Sequence, residues 1–458
     1  MVRELVSTNP AKGYAVLGKV AVSSDSEIER KIAMANKAKL AWKELGIRKR
    51  IALLKPIYEE FASKKDELAV LTTDEIGKPL SESRAEIESA LFKFSWALEN
   101  GEQSLADEIT MKDGTALNRI VYEPFGTAAV IVPWNFPFTM FVWGVIPNLV
   151  AGNTVIFKIS EECPLMGKFI EDVMNRHKLP QGVFSEVYGA SDVGKKIAEA
   201  AVNLIWFTGS TKVGRLLYEI VARKFIKAVL EMGGSSPAVI FEDVDLNEVV
   251  PMLYGGRFLN CGQVCDALKR VIVHESLFNE TVDKLTALVK TKVVGDPTDE
   301  KTDIGSLVAK RQVDLLNDQV ADAIKKGATV VTGGKPLTTL DGAFYEPTIL
   351  TNVTRNMRVW KEEVFGPVLP IVPFKTEEEA IELANDTLYG LGARIFSKDA
   401  TRAQRVASRI DAGTVEINNG DRWHPCNPFG GYKQSGMGRD HGVAGFRELC
   451  QIKLIAEK

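Results

Sequence analysis

The sequence predicts an α/β fold built on two mainly parallel sheets, with a small β element attached. Three observations predict it. From residue 127 onward, short β-branched runs alternate with helical segments, which is the pattern of βαβ units with helices on both faces of a parallel sheet. A second region of the same character runs from about 234 to 428. A chain of 458 residues is also too long for one ordinary core, so two or three domains are expected.

Residues 25–46 form an amphipathic helix, with Asp25 placed to cap it and Ile28, Ile32 and Trp42 near helical spacing. Residues 48–76 repeat the pattern through Ile51, Leu54, Tyr58 and Phe61; Pro56 should kink or break that run, and Gly77 and Pro79 stop it. A third helix covers 82–101. Asp113-Gly114 then joins two extended runs, 105–112 and 115–123, as a β-hairpin. Strands come next at 128–132, 154–157, 184–188, 204–207 and 228–231, with helices at 139–150, 164–178, 192–201 and 212–224. In the second region strands fall near 237–241, 270–274, 369–374, 392–396 and 413–417, and residues 451–456 suit an edge strand.

Composition excludes several classes. Hydrophobic content of 45% with 26% charge is that of a soluble globular protein. A net charge of −3 gives no footprint for nucleic acid. The longest apolar run, 136–150, is interrupted by proline, glycine and Asn148 and is too short to span a membrane. The first residues have no apolar core of a secretory signal, and five cysteines over this length point to a reducing cytoplasm.

Chemistry is concentrated in a few short segments. Phe258-Leu259-Asn260-Cys261-Gly262-Gln263-Val264-Cys265 holds two cysteines and a glycine that lets the backbone bend. A cysteine ending such a turn suits a nucleophile, because flanking N–H groups can face developing negative charge. By itself the pair suits core packing better. Phe207-Thr208-Gly209-Ser210 is a strand end opening into a helix, where Ser210 and the N–H groups behind it could receive a pyrophosphate or simply cap the helix. The usual dinucleotide fingerprint is absent: Gly189-Ala190-Ser191-Asp192-Val193-Gly194 has the wrong spacing. Cys261, Cys265, His424 and Cys426 are poor zinc-site grammar, so no metal is expected.

Taken together with Pro133-Trp134-Asn135-Phe136-Pro137, Lys158-Ile159-Ser160-Glu161, Leu230-Glu231-Met232-Gly233-Gly234, Glu363-Val364-Phe365-Gly366-Pro367 and Pro428-Phe429-Gly430-Gly431-Tyr432-Lys433-Gln434-Ser435-Gly436, the chain resembles the NAD(P)-dependent aldehyde dehydrogenase superfamily, nearest in look to its shorter succinate-semialdehyde dehydrogenase-like members. Each motif is degenerate, but the ordered set is specific and spans nearly the whole chain. The resemblance implies a Rossmann-type cofactor domain over 1–105 and 125–232, an α/β catalytic domain over 233–428, and an oligomerisation hairpin and tail over 106–124 and 443–458. It implies a homodimer or homotetramer joined through the hairpin, which composition alone would leave as a surface hairpin.

It also implies roles. Cys265, as thiolate, would attack the aldehyde carbonyl. The Asn135 amide and the Cys265 N–H would receive the alkoxide, and Glu231 would activate water against the resulting thioester. The presence of Glu231 argues for release of a free acid rather than transfer to coenzyme A. NAD or NADP would contact Trp134, Lys158, Ser160, Glu161, Gly209, Ser210, Val213, Glu231, Gly233, Glu363 and Phe365. A glutamate at 161 would repel a 2′-phosphate and favours NAD, although that side chain can swing away. Without the resemblance, Lys158, Glu161, Glu231 and Glu363 would read as solvated or capping charges.

The substrate end is less defined. Two arginines that the succinate-semialdehyde enzymes use are replaced by Trp143 and Leu259. Phe138, Trp143, Trp423 and Phe429 suggest an apolar tunnel for a small aliphatic or aromatic aldehyde, although each also suits a core. Arg422 could offer a carboxylate contact from the loop 418–425, keeping a semialdehyde open, or be a solvated loop charge. The expected activity is oxidation of an aldehyde to an acid. The alternatives are a thiol hydrolase using Cys265, which would want a histidine base that the motifs lack, and a protein that kept the fold without activity.

Overall fold

The computed structural model describes residues 3–458. Ser24, extended at φ −71°, accepts the Glu27 N–H and starts the helix Asp25–Glu44. Asp25, the cap expected from sequence, is instead the first helical residue, where its charge complements the helix dipole. The next run breaks at Lys64, not at Pro56, into Ile47–Ser63 and Lys65–Ile76. Pro56 is exposed, so water can serve the carbonyl left without an N–H partner. Gly77, left-handed at φ +81°, ends the second of these, and Leu80–Ser104 comes after it.

The first sheet has five parallel strands in the order Lys227–Glu231, Leu204–Thr208, Thr127–Ile131, Thr154–Lys158 and Phe184–Glu186, with Gly436–Met437 added antiparallel at one edge. Alternation along the strands divides its two faces. Ala128, Val130, Val155 and Phe157 pack with Phe94, Phe141 and Ile146 on one side. Ala129, Ile131, Ile156 and Ile205 pack with Ile28, Ile197 and Leu217 on the other. The long apolar run becomes the helix Pro137–Ala151, buried almost all round. A Cβ on its Gly144 would lie 2.6 Å from Val130 and 2.7 Å from the Trp206 ring, so glycine sets how closely helix and sheet approach. Among the described residues no helix is long and apolar enough to cross a membrane.

The second sheet has seven strands: Thr329–Thr332, Thr348–Thr351, Val368–Phe374, Leu268–His274, Ser236–Ile240, Gly392–Phe396 and Thr414–Ile417. All neighbours are parallel except the first pair. That pair has little signature in the sequence, because each strand has four residues and lies beside Gly333, Gly334 or Pro347. The N-terminal hairpin Glu4–Asn9 and Ala15–Ala21 was also unforeseen. Arg270 ties a helix to the second sheet by donating to the carbonyls of Leu383 and Ala384 at the C-terminal turn of Glu377–Asn385.

The predicted hairpin pairs Glu108–Lys112 with Leu117–Pro124, and Cys450–Glu457 adds as its edge strand. Asp113 accepts from the N–H groups of Thr115 and Ala116 to fix the turn. Ile109, Met111, Ile452 and Leu454 stand exposed on this three-stranded sheet. The stretch 429–442, outside every boundary expected from sequence, returns to the first sheet through Gly436–Met437.

Candidate active site

Parallel strands in register bring their carboxyl ends to one line. Ile131 pairs with Lys158 and Phe207, and Thr208 pairs with Glu231. The segments leaving those strands therefore converge at one edge: the Pro133–Pro137 motif, Lys158 to Glu161, the Gly209-Ser210 turn and Glu231 to Gly234.

The cysteine segment arrives from the second sheet. Helix Leu246–Phe258 ends in a tight turn, Leu259–Gly262, with Asn260, Cys261 and Gly262 all left-handed at φ +51°, +53° and +75°. Side-chain bonds hold this strained shape. The Asn260 amide donates to the Asn135 carbonyl at 2.9 Å, and the buried Gln263 amide donates to the Asn260 carbonyl at 3.1 Å. A Cβ on Gly262 would sit 2.4 Å from the Gly366 carbonyl. Arg257, fully buried, donates to the carbonyls of Val364 and Gly366. The turn is thus clamped between the Asn135 motif and the Glu363–Pro367 motif.

Lys269 completes the junction. Its buried ammonium donates to the carbonyls of Cys265 and Gly234, both at 2.8 Å, and to Glu363 at 2.5 Å. Glu363 also accepts from the Gly234 N–H at 3.3 Å.

Electrostatics at the reaction centre differ from expectation in one respect. Burial pushes the Cys265 thiol well up, with Asp266 adding to burial and Lys269 opposing it, so the resting sulfur is a thiol and not the thiolate expected from sequence. Glu231 is 3% exposed, neither carboxyl oxygen has a partner, and burial followed by the charge of Asp440 raises its pKa well above the usual range. Asn135 donates one N–H to the Gln263 carbonyl at 3.0 Å, and its NH₂ has a second.

Cys265, Asn135 and Glu231 line one cavity of about 500 Å³, together with Trp134, Gly209, Ser210, Gly233, Glu363 and Phe365. Lys158, Ser160, Glu161 and Val213 lie outside it. Lys158 and Ser160 are buried at the end of their strand, and Glu161 is exposed, 3.9 Å from the Lys158 ammonium. Val213 stands exposed on the first turn of Thr211–Lys224, whose cap Ser210 accepts the Val213 N–H. This edge fits a dinucleotide: the helix start is open, the Thr208 hydroxyl is buried without a partner, and a Cβ on Gly233 would collide with Glu363 at 2.1 Å.

At the substrate end Trp143, Trp423 and Phe429 line the cavity and pack on one another, with Trp423 and Phe429 stacked at 5.6 Å. Phe138 does not join them. It is wholly buried against Phe61 and Phe141, because it points from its helix into the core rather than the cavity. Arg422 is not a substrate contact either. Its guanidinium is buried between Asp266 at 2.8 Å and Glu416 at 2.6 Å, which hold it away from the substrate. Cys261 packs in the core of the second sheet, whereas His424 and Cys426 are exposed and contact each other.

The sequence does not show the parts played by Lys269 and Arg257, and it presents Asn260 and Gln263 only as neighbours of the cysteines. The available signal was charge in the wrong company: Lys269 and Arg270 stand between Leu268 and the apolar run Val271–Val273 of one strand.

Comparison with known proteins shows the family and the fold. Residues 2–455 match the model of the aldehyde dehydrogenase family. A succinate-semialdehyde dehydrogenase [NADP(+)] of Deinococcus radiodurans is 38% identical over 99% of this chain and 94% of that protein. The crystal structure of a succinate-semialdehyde dehydrogenase from Burkholderia pseudomallei superposes with a TM-score of 0.95 at 36% identity, covering 99% of this chain and 94% of that one. A betaine aldehyde dehydrogenase from Staphylococcus aureus, in complex with NAD+, superposes with a TM-score of 0.95 at 32% identity, covering 99% and 91%. The chain belongs to the aldehyde dehydrogenase family.

Lys269→Met leaves Glu363 without its partner and destabilises the fold by about 3 kcal/mol. Adding Glu363→Gln recovers part of that loss, which chemical denaturation of the two single variants and the double variant measures as a coupling.

Proposed function

We propose that this aldehyde dehydrogenase oxidises a small aldehyde to a carboxylic acid with NAD or NADP, through a thioester on Cys265. The observation that carries the reading is the meeting of Cys265, Asn135 and Glu231 in one cavity beside the open edge of the parallel sheet. Residues that would hold the dinucleotide are Trp134, Lys158, Ser160, Glu161, Gly209, Ser210, Val213, Gly233, Glu363 and Phe365. When bound, the dinucleotide supplies the acceptor for the aldehyde hydride. The exposed Glu161 can turn away from a 2′-phosphate, which admits NADP as well as NAD; one relative is named for NADP and one neighbour holds NAD.

The chain's own groups would act in sequence. The Cys265 thiol loses its proton to solvent, and the sulfur adds to the carbonyl carbon, whose oxygen takes the negative charge. The alkoxide meets the Cys265 N–H and the second N–H of Asn135, an arrangement worth about 3 kcal/mol per donor. The acyl group then remains on sulfur as a thioester. Glu231, with no competing hydrogen bond, takes a proton from water as that water attacks the acyl carbon.

A thiol hydrolase would need a histidine base, and among the described residues lining the cavity there is none. We further propose that the chain assembles as a homodimer or homotetramer. The exposed Ile109, Met111, Ile452 and Leu454 on the three-stranded sheet support an interface there, and light scattering giving the mass of one chain would count against it. Five free cysteines support a cytoplasmic setting; a cell fractionation that recovered the protein elsewhere would remove it.

Two outcomes are expected on mixing aldehyde and oxidised dinucleotide. Glu231→Gln gives one reduced dinucleotide per site and then slows by about 100-fold or more, since hydrolysis has lost its base. In the wild type, Cys265 and Glu231 both have raised pKa values, so their reactive, deprotonated forms grow as pH rises. Turnover therefore climbs from pH 6 to about pH 9; a profile flat over that range would contradict these protonation states.

A further inference from the structure

One group in the cavity has no use in the oxidation of an aldehyde at Cys265. The helix Leu80–Ser104 turns Glu82, Glu86, Ser89 and Lys93 toward the cavity at successive spacings of four, three and four, which is a single helical stripe. Three carboxyls on or beside this stripe are already engaged. Glu82 accepts the Asn260 N–H at 2.7 Å, Glu86 pairs with Lys78, and Asp266 lies 2.8 Å from Arg422. Lys93 is different. It is 7% exposed, and among the described residues its ammonium makes no hydrogen bond or ion pair. It lies over the Trp143 ring at 4.2 Å and the Trp423 ring at 5.0 Å, inside the aromatic wall of the substrate end.

This placement has two physical consequences. A buried ammonium with no carboxylate in direct contact is expensive, and a ligand carboxylate arriving beside it would relieve that cost. The indole faces that would otherwise attract a substrate ammonium already hold a cation, so such a substrate would meet like charge. Burial lowers the Lys93 pKa to about 7, with Asp266 and Asp440 holding it up, so an added anion would strengthen its charge. The buried His441, whose own pKa is pushed well down, stands against the same Trp143 ring at 4.1 Å.

We propose that Lys93 is the specificity residue of this enzyme, receiving the distal carboxylate of a short ω-semialdehyde whose carbonyl meets Cys265. The assignment rests on the proposed oxidation of an aldehyde at Cys265. It puts the carboxylate receptor on the helix Leu80–Ser104, where the sequence had offered Arg422. Trp143 and Trp423 then flank the methylene chain between the two ends.

The test compares kcat/KM for succinate semialdehyde, butanal and 4-aminobutanal, which share a four-carbon chain and differ in the distal group. The wild type is expected to prefer the carboxylate over butanal by about 100-fold and to use the amine least. Lys93→Gln is expected to lower that preference by about 30-fold or more, chiefly through KM, and Lys93→Arg to restore part of it. A wild type that uses butanal or the amine as well as the semialdehyde overturns the proposal without reference to any variant. So does a Lys93→Gln enzyme in which all three substrates fall by the same factor, because Lys93 would then serve only the fold. Wild-type oxidation of butanal shows that the Cys265 reading stands even where the Lys93 assignment fails. Absence of oxidation with every aldehyde overturns both.

Discussion

The buried ammonium of Lys269 is the contact on which the site depends. Three acceptors, the Cys265 carbonyl, the Gly234 carbonyl and Glu363, come from three motifs widely separated in sequence. An ammonium removed from water must find such partners or lose its proton. The same requirement that satisfies one charge therefore fixes the nucleophile's main chain, the loop after Glu231 and the carboxylate facing the cofactor edge relative to one another. Arg257 and Gln263 do similar work on either side of the cysteine turn, donating to the buried carbonyls of Val364 and Asn260.

The environment that holds these groups also sets their resting state. Cys265 and Glu231 lie where charge is poorly solvated, and both are held in the protonated form. Reactivity is thereby tied to arrival of the reactants, when donors at Asn135 and the Cys265 N–H find a developing anion to stabilise. The cavity carries the same logic to its far end, where unused positive charge at Lys93 is held between indoles while neighbouring carboxyls are paired or hydrogen-bonded.

Much of this was legible in the chain, for identifiable reasons. Parallel strands announce themselves as β-branched runs between helices, and residues at their carboxyl ends, such as Glu231 and Ser210, share an edge by topology alone. Side-chain direction was not legible. Phe138 and Trp143 lie on the same helix, yet one enters the core and the other the cavity, because a helix buried on nearly all sides gives no polar face to orient it. Arg422 looked free because its partners, Asp266 and Glu416, are brought by other elements. Lys93 was missed for the converse reason: a lone lysine in an amphipathic helix reads as solvated until the fold closes two tryptophans over it.

Passage of the oxidation through an acyl group on Cys265 can be measured directly. The Glu231→Gln enzyme, mixed with aldehyde and oxidised dinucleotide and quenched in acid, can be digested and its cysteine peptides weighed. The peptide containing Cys265 is expected to gain the mass of the acyl group, with Cys261 on the same peptide resolved from it by fragmentation. An unmodified Cys265, or an acyl group found on Cys261 or Cys426 instead, would contradict it.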